Sequence, residues 1–273
     1  MQPKIITRVS DIDISELTAT LLQKGYAVIK YPLITQYNNN LLQTFKEFQA
    51  QPMEFRMKWN TSFPPTDKGR ETGFIPWKGM DSNGGFYDNK ESFMYRNNIR
   101  SLIGNQISTE ESMMYYAFIH QFDQLLTQFL ALTDLITTQL DIVVPGYNLN
   151  QKFMSPEAQN YHSIRLVDYK IDTPMGMQEL GARDSASEHY DRDGLTIQCF
   201  ETDPGLIITG NDGKDFEYAS EPDSIAIFPG RKMEHITGGK IKAVKHRVHG
   251  KRNRNRYAGI GFMHTTDEIP HNR

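Results

Sequence analysis

The sequence lacks several features that define other classes of protein. Its 273 residues contain one cysteine, Cys199, which excludes an intramolecular disulfide and a zinc site built from cysteines. No run approaches the roughly 18 apolar residues that span a bilayer, and the N-terminus lacks the basic and then apolar pattern of a secretory signal. Lys and Arg number 30 against 33 Asp and Glu, a balance that disfavours a globally basic nucleic-acid binder. We therefore expect a cytoplasmic protein with neither a membrane nor a nucleic acid as its partner.

The composition that is present is that of a globular protein, with 38% hydrophobic and 23% charged residues. Residues 1–150 are helix-rich, with apolar residues at helical spacing in 15–24, 36–58 and 110–141. Residues 151–273 are strand-rich. Because no flexible linker separates the two regions, we expect one compact unit in which the first region packs on a core formed by the second.

The strand-rich region contains six short β-type segments separated by turn signals such as DPG, NDGKD and FPG. These predicted strands are Ser163–Tyr169, Leu195–Phe200, Gly205–Thr209, Ser224–Phe228, Lys240–Val248 and Tyr257–Met263. Six strands at this spacing indicate a closed or double-sheet β architecture. The predicted fold class is α+β.

Three side chains of the strand-rich region have the pattern of a metal site. His189 and Asp191 lie at the start of the predicted strand Leu195–Phe200, and residues two apart on an extended segment point to the same face. His246 follows 57 residues later, inside another strand-like run. Two histidines and one carboxylate form the facial triad that holds non-haem Fe(II) and leaves positions open for O2 and substrate.

An arginine completes this pattern. Arg256 lies ten residues after His246, at the start of the last predicted strand. A guanidinium that faces a cavity binds both oxygens of a carboxylate. The alternative is a surface charge within the basic run of residues 240–256, which has eight Lys and Arg among 17 residues.

The C-terminal pattern resembles that of the isopenicillin N synthase-like Fe(II)/2-oxoglutarate-dependent oxygenases. The residues that carry the resemblance are His189-x-Asp191, His246-Arg247-Val248, Arg256-x-Ala258 and Phe262, with weaker matches at Gly205-Leu206 and Asp88-x-Lys90-Glu91-x-Phe93. The resemblance implies a double-stranded β-helix, or jelly-roll, core beneath the N-terminal helical layer. It also implies an enzyme that uses Fe(II), 2-oxoglutarate and O2 to oxidise a C–H bond of a small molecule, with release of succinate and CO2.

The same resemblance implies roles for individual residues. His189, Asp191 and His246 would bind iron, and Arg256 would form a salt bridge with the distal carboxylate of 2-oxoglutarate. Tyr169 matches the place of a tyrosine that often contacts this cosubstrate. Phe262 would line the pocket.

The sequence departs from the family pattern at two places. The serine of the family's Arg-x-Ser element is Ala258 here, which removes one hydrogen bond to the cosubstrate carboxylate. An isopenicillin N synthase-type Fe(II) oxidase that uses O2 without 2-oxoglutarate therefore stays an alternative. The chain ends about ten residues after Phe262, so the site is either more open than in many members or capped by a partner subunit in a homo-oligomer.

Two further hypotheses concern ligands. Arg183 and Arg165 could bind an anionic group of the substrate, and Tyr87 lies in the loop-rich region where this family places substrate contacts; surface ion pairs and core packing are the alternatives. A non-catalytic binding protein that uses the basic strip of residues 240–256 is a third reading of the chain, from a different functional class.

Overall fold

The structure is a computed structural model of the chain, and it describes residues 11–61, 72–77, 90–100, 112–171, 184–219, 221–249 and 254–267. The helices among them are α1 Ile14–Lys24, α2 Leu33–Gln49, α3 Met53–Met57, α4 Ser112–Val143, α5 Leu149–Met154, α6 Pro156–Gln159 and α7 Arg231–Ile236. The strands are β1 Ala27–Lys30, β2 Asn60–Thr61, β3 Thr72–Ile75, β4 Lys90–Arg96, β5 Ser163–Tyr169, β6 Asp184–Tyr190, β7 Leu195–Glu201, β8 Leu206–Thr209, β9 Asp215–Glu217, β10 Ser224–Pro229, β11 Lys245–His249 and β12 Arg256–Met263.

The strands form two antiparallel sheets, the arrangement of a jelly roll. The larger sheet has eight strands in the order β1-β10-β7-β12-β5-β4-β3-β2, and the smaller has four in the order β6-β11-β8-β9. Four strands of the larger sheet, β1 to β4, come from residues before 150; of these, β1 pairs with β10 and β4 pairs with β5, two strands from after residue 160. The jelly-roll fold with an N-terminal helical layer is therefore confirmed.

Strand β12 shows why the larger sheet can be covered on both faces. Its alternate residues Gly259 and Gly261 face the helical layer, where a Cβ on Gly261 would lie 2.5 Å from the ring of Phe129 in α4. Ile260 and Phe262 of the same strand line a cavity on the opposite face. The glycines thus let the long helix α4 approach the sheet closely, while Ile260 and Phe262 point to the opposite face.

Helix α4 and helix α2 share an aromatic core with the edge of the larger sheet. Phe48 of α2 stacks on Phe118 of α4 at 5.8 Å between ring centroids, and Phe118 lies 4.7 Å from Phe93 of β4. Phe48 also contacts Trp59 edge-on at 5.4 Å. All four rings are fully buried. Since each such ring removes a large apolar area from water, this core fixes the helical layer against β3 and β4.

Two sequence predictions about local structure were wrong. The predicted strand Lys240–Val248 begins only at Lys245, because residues 237–239 form a turn in which Gly238 and Gly239 adopt left-handed backbone angles, and the backbone of residues 240–244 is irregular. His189 and Asp191 do not open the strand Leu195–Phe200. His189 lies in a separate strand, β6, and Asp191 follows in the turn between β6 and β7.

Within the described residues, none of the helices combines the length and the apolar character needed to cross a membrane.

Candidate metal centre and active-site cavity

Three side chains converge at one end of the smaller sheet. His189 of β6 and His246 of β11 are direct partners in the register of these two antiparallel strands. Their imidazole centroids lie 4.3 Å apart. Asp191 reaches the same point from the turn after β6, and one donor atom from each of the three lies within 4.8 Å of the others. Strand pairing thus brings together residues that are 57 positions apart in the sequence.

The imidazole rings are oriented for binding a metal through Nε2. Nδ1 of His189 lies 2.7 Å from the carbonyl oxygen of Ser187, and Nδ1 of His246 lies 3.5 Å from that of Val244. Donation of Nδ1–H to a carbonyl leaves the lone pair on Nε2. Nε2 of His189 is 3.7 Å from Asp191 Oδ1, and Nε2 of His246 is 3.6 Å from Asp191 Oδ2. This N,N,O donor set fits Fe(II).

The protonation state of the buried histidine also suits a metal ligand. Burial, the largest effect, lowers the pKa of His246, and the neighbouring His189 lowers it further against the opposing effect of Asp191. Because a metal binds the neutral imidazole, this shift favours the form that can act as a ligand at neutral pH.

Asp191 is positioned by its neighbours. Its Oδ2 accepts a hydrogen bond of 2.6 Å from the hydroxyl of Thr196 in β7. Its carbonyl oxygen accepts a bond of 2.8 Å from the N–H of Arg231, the first residue of α7. Gly230 precedes this helix and fits against the turn, where a Cβ would overlap the carbonyl oxygen of Asp193 and lie 2.8 Å from that of Asp191. The start of α7 therefore holds the turn that carries the carboxylate.

A cavity between the two sheets opens onto the three donors. It contains about 520 Å³ of empty space, part of it open to solvent. Its lining comes from both sheets and comprises Lys90, Arg165, Val167, Tyr169, Ala186, His189, Asp191, Thr196, Gln198, Leu206, Phe228, His246, Val248, Ile260 and Phe262. Apolar walls with a few polar and cationic groups can orient a small polar molecule beside the donors.

Arg256 lies behind this cavity. Its guanidinium is 5.2 Å from the centre of the Tyr169 ring, and that ring lines the cavity. Nη2 of Arg256 forms an ion pair with Glu201, and Nε donates a hydrogen bond of 3.0 Å to the carbonyl oxygen of Asp203. The side chain is only 2% exposed, so Arg256 is not a surface charge. In the described residues it is not itself part of the cavity lining.

The other predicted site residues divide into three groups. Tyr169, Phe262 and Arg165 line the cavity, and Arg165 also donates to the Ser92 hydroxyl at 3.1 Å and 3.2 Å. Ala258 is buried on the Arg256 side of β12. Arg183 and Tyr87 lie outside the described residues.

Sequence reasoning missed three side chains of the site. Thr196 orients Asp191, Lys90 lines the cavity, and Glu201 pairs with Arg256. Thr196 alternates with Gln198 on the cavity face of β7, so strand periodicity could have found it. No local signal marks Glu201, since its partner is 55 residues away in the sequence.

The fold and the site together define a class. A jelly roll with an N-terminal helical layer carries two histidines and one aspartate at the mouth of an inter-sheet cavity, which is the arrangement of a non-haem iron oxygenase. Residues 159–265 match the family model of the 2OG-Fe(II) oxygenase superfamily. This segment therefore resembles the 2OG-Fe(II) oxygenases in sequence, and the protein is an oxygenase enzyme. A search of curated proteins finds no match to the chain.

Solved structures share the fold over nearly the whole chain. T7H from Neurospora crassa, crystallised with alpha-KG, is 16% identical with a TM-score of 0.73, over 94% of this chain and 80% of that one. A 2OG-Fe(II) oxygenase family protein from Caulobacter crescentus is 21% identical with a TM-score of 0.67, over 94% and 82%. AtDAO1, the dioxygenase for auxin oxidation 1 from Arabidopsis thaliana, crystallised with 2-oxoglutarate, is 15% identical with a TM-score of 0.64, over 94% and 89%.

Proposed function

We propose that this protein is an Fe(II)- and 2-oxoglutarate-dependent dioxygenase that oxidises a C–H bond of a small molecule. The observation that carries the proposal is the convergence of His189, Asp191 and His246, with both Nδ1 atoms turned to backbone carbonyls. The relatives crystallised with 2-oxoglutarate or alpha-KG support the choice of cosubstrate.

Each part of the site has a task in this reaction. His189, Asp191 and His246 would hold Fe(II) on one face and leave its other positions open to the cavity. When bound, the iron supplies activation of O2 coupled to the oxidative decarboxylation of 2-oxoglutarate to succinate. Arg256, with Tyr169 and Ala258 beside it, would receive the distal carboxylate of the cosubstrate. The apolar side chains Val248, Ile260 and Phe262 would exclude bulk water from the reacting atoms.

The cavity lining favours an anionic small molecule as the substrate. Lys90 and Arg165 line the cavity together with Phe262, so a carboxylate or similar group could bind the cations while an apolar part packs on the ring. Phe262, Arg165 and the residues Arg183 and Tyr87 outside the described ranges remain our candidates for substrate contacts.

A second candidate function is an Fe(II) oxidase that uses O2 without 2-oxoglutarate. It is favoured by two observations, the ion pair that engages Arg256 with Glu201 and the absence of a hydroxyl at Ala258. In that enzyme the substrate would supply all the electrons.

The arrangement of the basic strip gives little support to a nucleic-acid-binding function. Arg247 donates to Asp215 at 2.8 Å, Lys245 pairs with Glu188 at 2.8 Å, and Arg254 donates to Asp203 at 2.7 Å. These carboxylates neutralise cations that a phosphate backbone would otherwise contact.

The test of the proposed function is an anaerobic titration. Fe(II) is added to the metal-free protein, then 2-oxoglutarate, and the visible charge-transfer band of the chelated keto acid is followed. We expect the band in the wild type, a weaker band with Arg256→Ala, and no metal binding with Asp191→Ala at unchanged thermal stability. Full metal binding by Asp191→Ala would refute the triad.

The same titration separates the two candidate functions. Iron binding without a band would favour the oxidase. If the band appears, a screen that measures succinate release identifies the substrate, and acidic compounds should be turned over with a higher KM in Arg165→Met.

A further inference from the structure

A buried ion pair lies where the proposed cosubstrate would bind. Glu201 ends β7 and Arg256 begins β12, and their side chains are 0% and 2% exposed. The inference drawn from this pair rests on the proposed function, because it concerns the affinity of the same site for 2-oxoglutarate.

Arg256 retains hydrogen-bonding capacity despite its two partners. Nη2 is engaged by Glu201 and Nε by the carbonyl oxygen of Asp203, whereas Nη1 is buried with no hydrogen-bond partner in the described part of the chain. An unpartnered buried N–H is costly. A ligand carboxylate that passed the Tyr169 ring would satisfy it.

The residue directly opposite Glu201 on the neighbouring strand is apolar. In the register between β7 and β12, Glu201 is the direct partner of Ala258, whose methyl group cannot donate a hydrogen bond. A protonated Glu201 carboxyl can donate one to a carboxylate oxygen bound at Arg256, whereas an ionised Glu201 repels that carboxylate.

The surroundings of Glu201 favour its neutral form. Burial raises the pKa of Glu201 to about 7, against the opposing effect of Arg256. Two further carboxylates, Asp203 after β7 and Glu217 on β9, raise it as well. Both are themselves paired, Asp203 with Arg254 at 2.7 Å and Glu217 with His249 at 3.5 Å.

We propose that Glu201 determines the affinity for the cosubstrate by sharing Arg256 with its distal carboxylate and taking up one proton from solvent as the cosubstrate binds. Two ionised carboxylates bound to one buried guanidinium would leave a net negative charge in a site that water does not reach. Such a charge is costly, so one of the two carboxylates must be neutral. The carboxyl of 2-oxoglutarate is the stronger acid in contact with an arginine, and Glu201 is the group that accepts the proton.

The experiment measures binding rather than turnover. The protein is loaded with Mn(II), a redox-stable stand-in that takes the same nitrogen and oxygen ligands, and 2-oxoglutarate affinity is measured by calorimetry from pH 6.5 to 8.5. In the wild type we expect affinity to fall about tenfold or more across this range, with uptake of roughly half a proton at pH 7, as linkage requires for a group with its midpoint near neutrality. The proton uptake is read by repeating the titration in buffers of different ionisation enthalpy.

Variants assign the effect to Glu201. Glu201→Gln should bind 2-oxoglutarate with an affinity that barely changes with pH and that exceeds the wild type at pH 8.5. Glu221→Gln is the matched control: it removes a carboxylate of the same chemistry that is 60% exposed and pairs with Lys30, and it should keep the wild-type pH dependence.

The outcomes separate this inference from the proposed function. If 2-oxoglutarate does not bind, or if Arg256→Ala leaves its affinity unchanged, the proposed function fails and the role of Glu201 fails with it. If 2-oxoglutarate binds through Arg256 but Glu201→Gln follows the wild type at every pH, the inference alone is overturned. Should Glu201→Gln not fold, absence of proton uptake by the wild type would overturn it equally.

Discussion

At the scale of single residues, the candidate metal centre depends on side chains that orient the ligands. Asp191 has two oxygens, and the hydroxyl of Thr196 engages Oδ2 at 2.6 Å while Oδ1 faces His189 at 3.7 Å. Partners of this kind fix the direction of a metal-binding carboxylate, and their loss typically costs ten- to a hundredfold in metal affinity.

The corresponding prediction concerns Thr196→Val, which keeps the shape of the side chain but removes the hydroxyl. We expect Fe(II) to bind about 10- to 100-fold more weakly, measured by anaerobic metal titration. Thr209→Val serves as the control, because it removes a hydroxyl that donates to Asp215 at 2.8 Å, within the smaller sheet, rather than to Asp191. Equal affinities of the two variants would show that the Thr196 hydroxyl does not orient Asp191.

At the scale of secondary-structure elements, the site depends on how the β6–β7 turn docks against the start of α7. Arg231 N donates to the carbonyl of Asp191 at 2.8 Å, and Gly230 N donates to that of Gly194 at 3.0 Å. Gly230 has an extended backbone that any residue adopts, so its glycine is required by the close approach of the turn rather than by its backbone angles.

We therefore predict that Gly230→Ala displaces the turn. The added Cβ would meet backbone oxygens that cannot rotate away, so we expect a loss of about 1–3 kcal/mol in the free energy of unfolding together with weaker metal binding. Urea unfolding and metal titration measure the two effects. His235→Ala, an exposed position on the same helix, should leave both unchanged, and wild-type metal affinity in Gly230→Ala would contradict the docking argument.

At the scale of the whole molecule, a buried histidine links the helical layer to the end of β12. Nε2 of His162 lies 3.0 Å from the carbonyl oxygen of Phe153 in α5, and Nδ1 accepts a hydrogen bond of 2.9 Å from the N–H of His264. Burial, aided by the nearby His264, lowers the pKa of His162 from 6.5 to about 3. The folded protein therefore holds this ring neutral.

This histidine makes stability depend on pH with a definite sign. Between about pH 3 and 6.5 the His162 ring binds a proton in the unfolded chain but not in the folded chain. The stability that depends on the neutral His162 ring is therefore fully present above pH 6.5 and is lost as the pH falls. From pH 7.5 to 5.5 we expect it to account for about 1 kcal/mol of lost unfolding free energy. Urea unfolding of the metal-free protein should show this difference between the wild type and His162→Gln.

The exposed His120 on α4 provides the comparison for that measurement. His120→Gln should retain the full pH dependence of the wild type, because the His120 ring is in contact with water in the folded and the unfolded chain alike. The raised pKa of Glu201 has the opposite effect on stability, because the contribution of this group is lost as the pH rises. Glu201 is present in all three proteins, so its contribution cancels in the comparison. A wild-type slope in His162→Gln would show that other groups carry the acid sensitivity.

Much of the helical layer and of the jelly roll could be predicted, because local periodicity reflects which face of an element is buried. Helix α1 and most strands lie within a few residues of their predicted bounds, and Gly25 ends α1 in a left-handed conformation, as a glycine after the last apolar residue indicates. The prediction was wrong where tertiary contacts override local signals. The β-rich run from Lys240 has an irregular backbone up to residue 244, and strand β6, rich in polar residues, has no alternating apolar pattern to mark it.

The sequence by itself determined the types of donor and their order along the chain: an imidazole and a carboxylate two residues apart, a second imidazole 57 residues later and an arginine ten residues beyond. Only the tertiary structure decided which atoms meet. Strand register makes His189 the partner of His246, and it places Glu201 opposite Ala258, where its carboxyl reaches Arg256. Such pairings are set by strand register, which depends on how whole strands pack against the rest of the fold, a constraint that acts between distant segments and leaves no mark in any one of them.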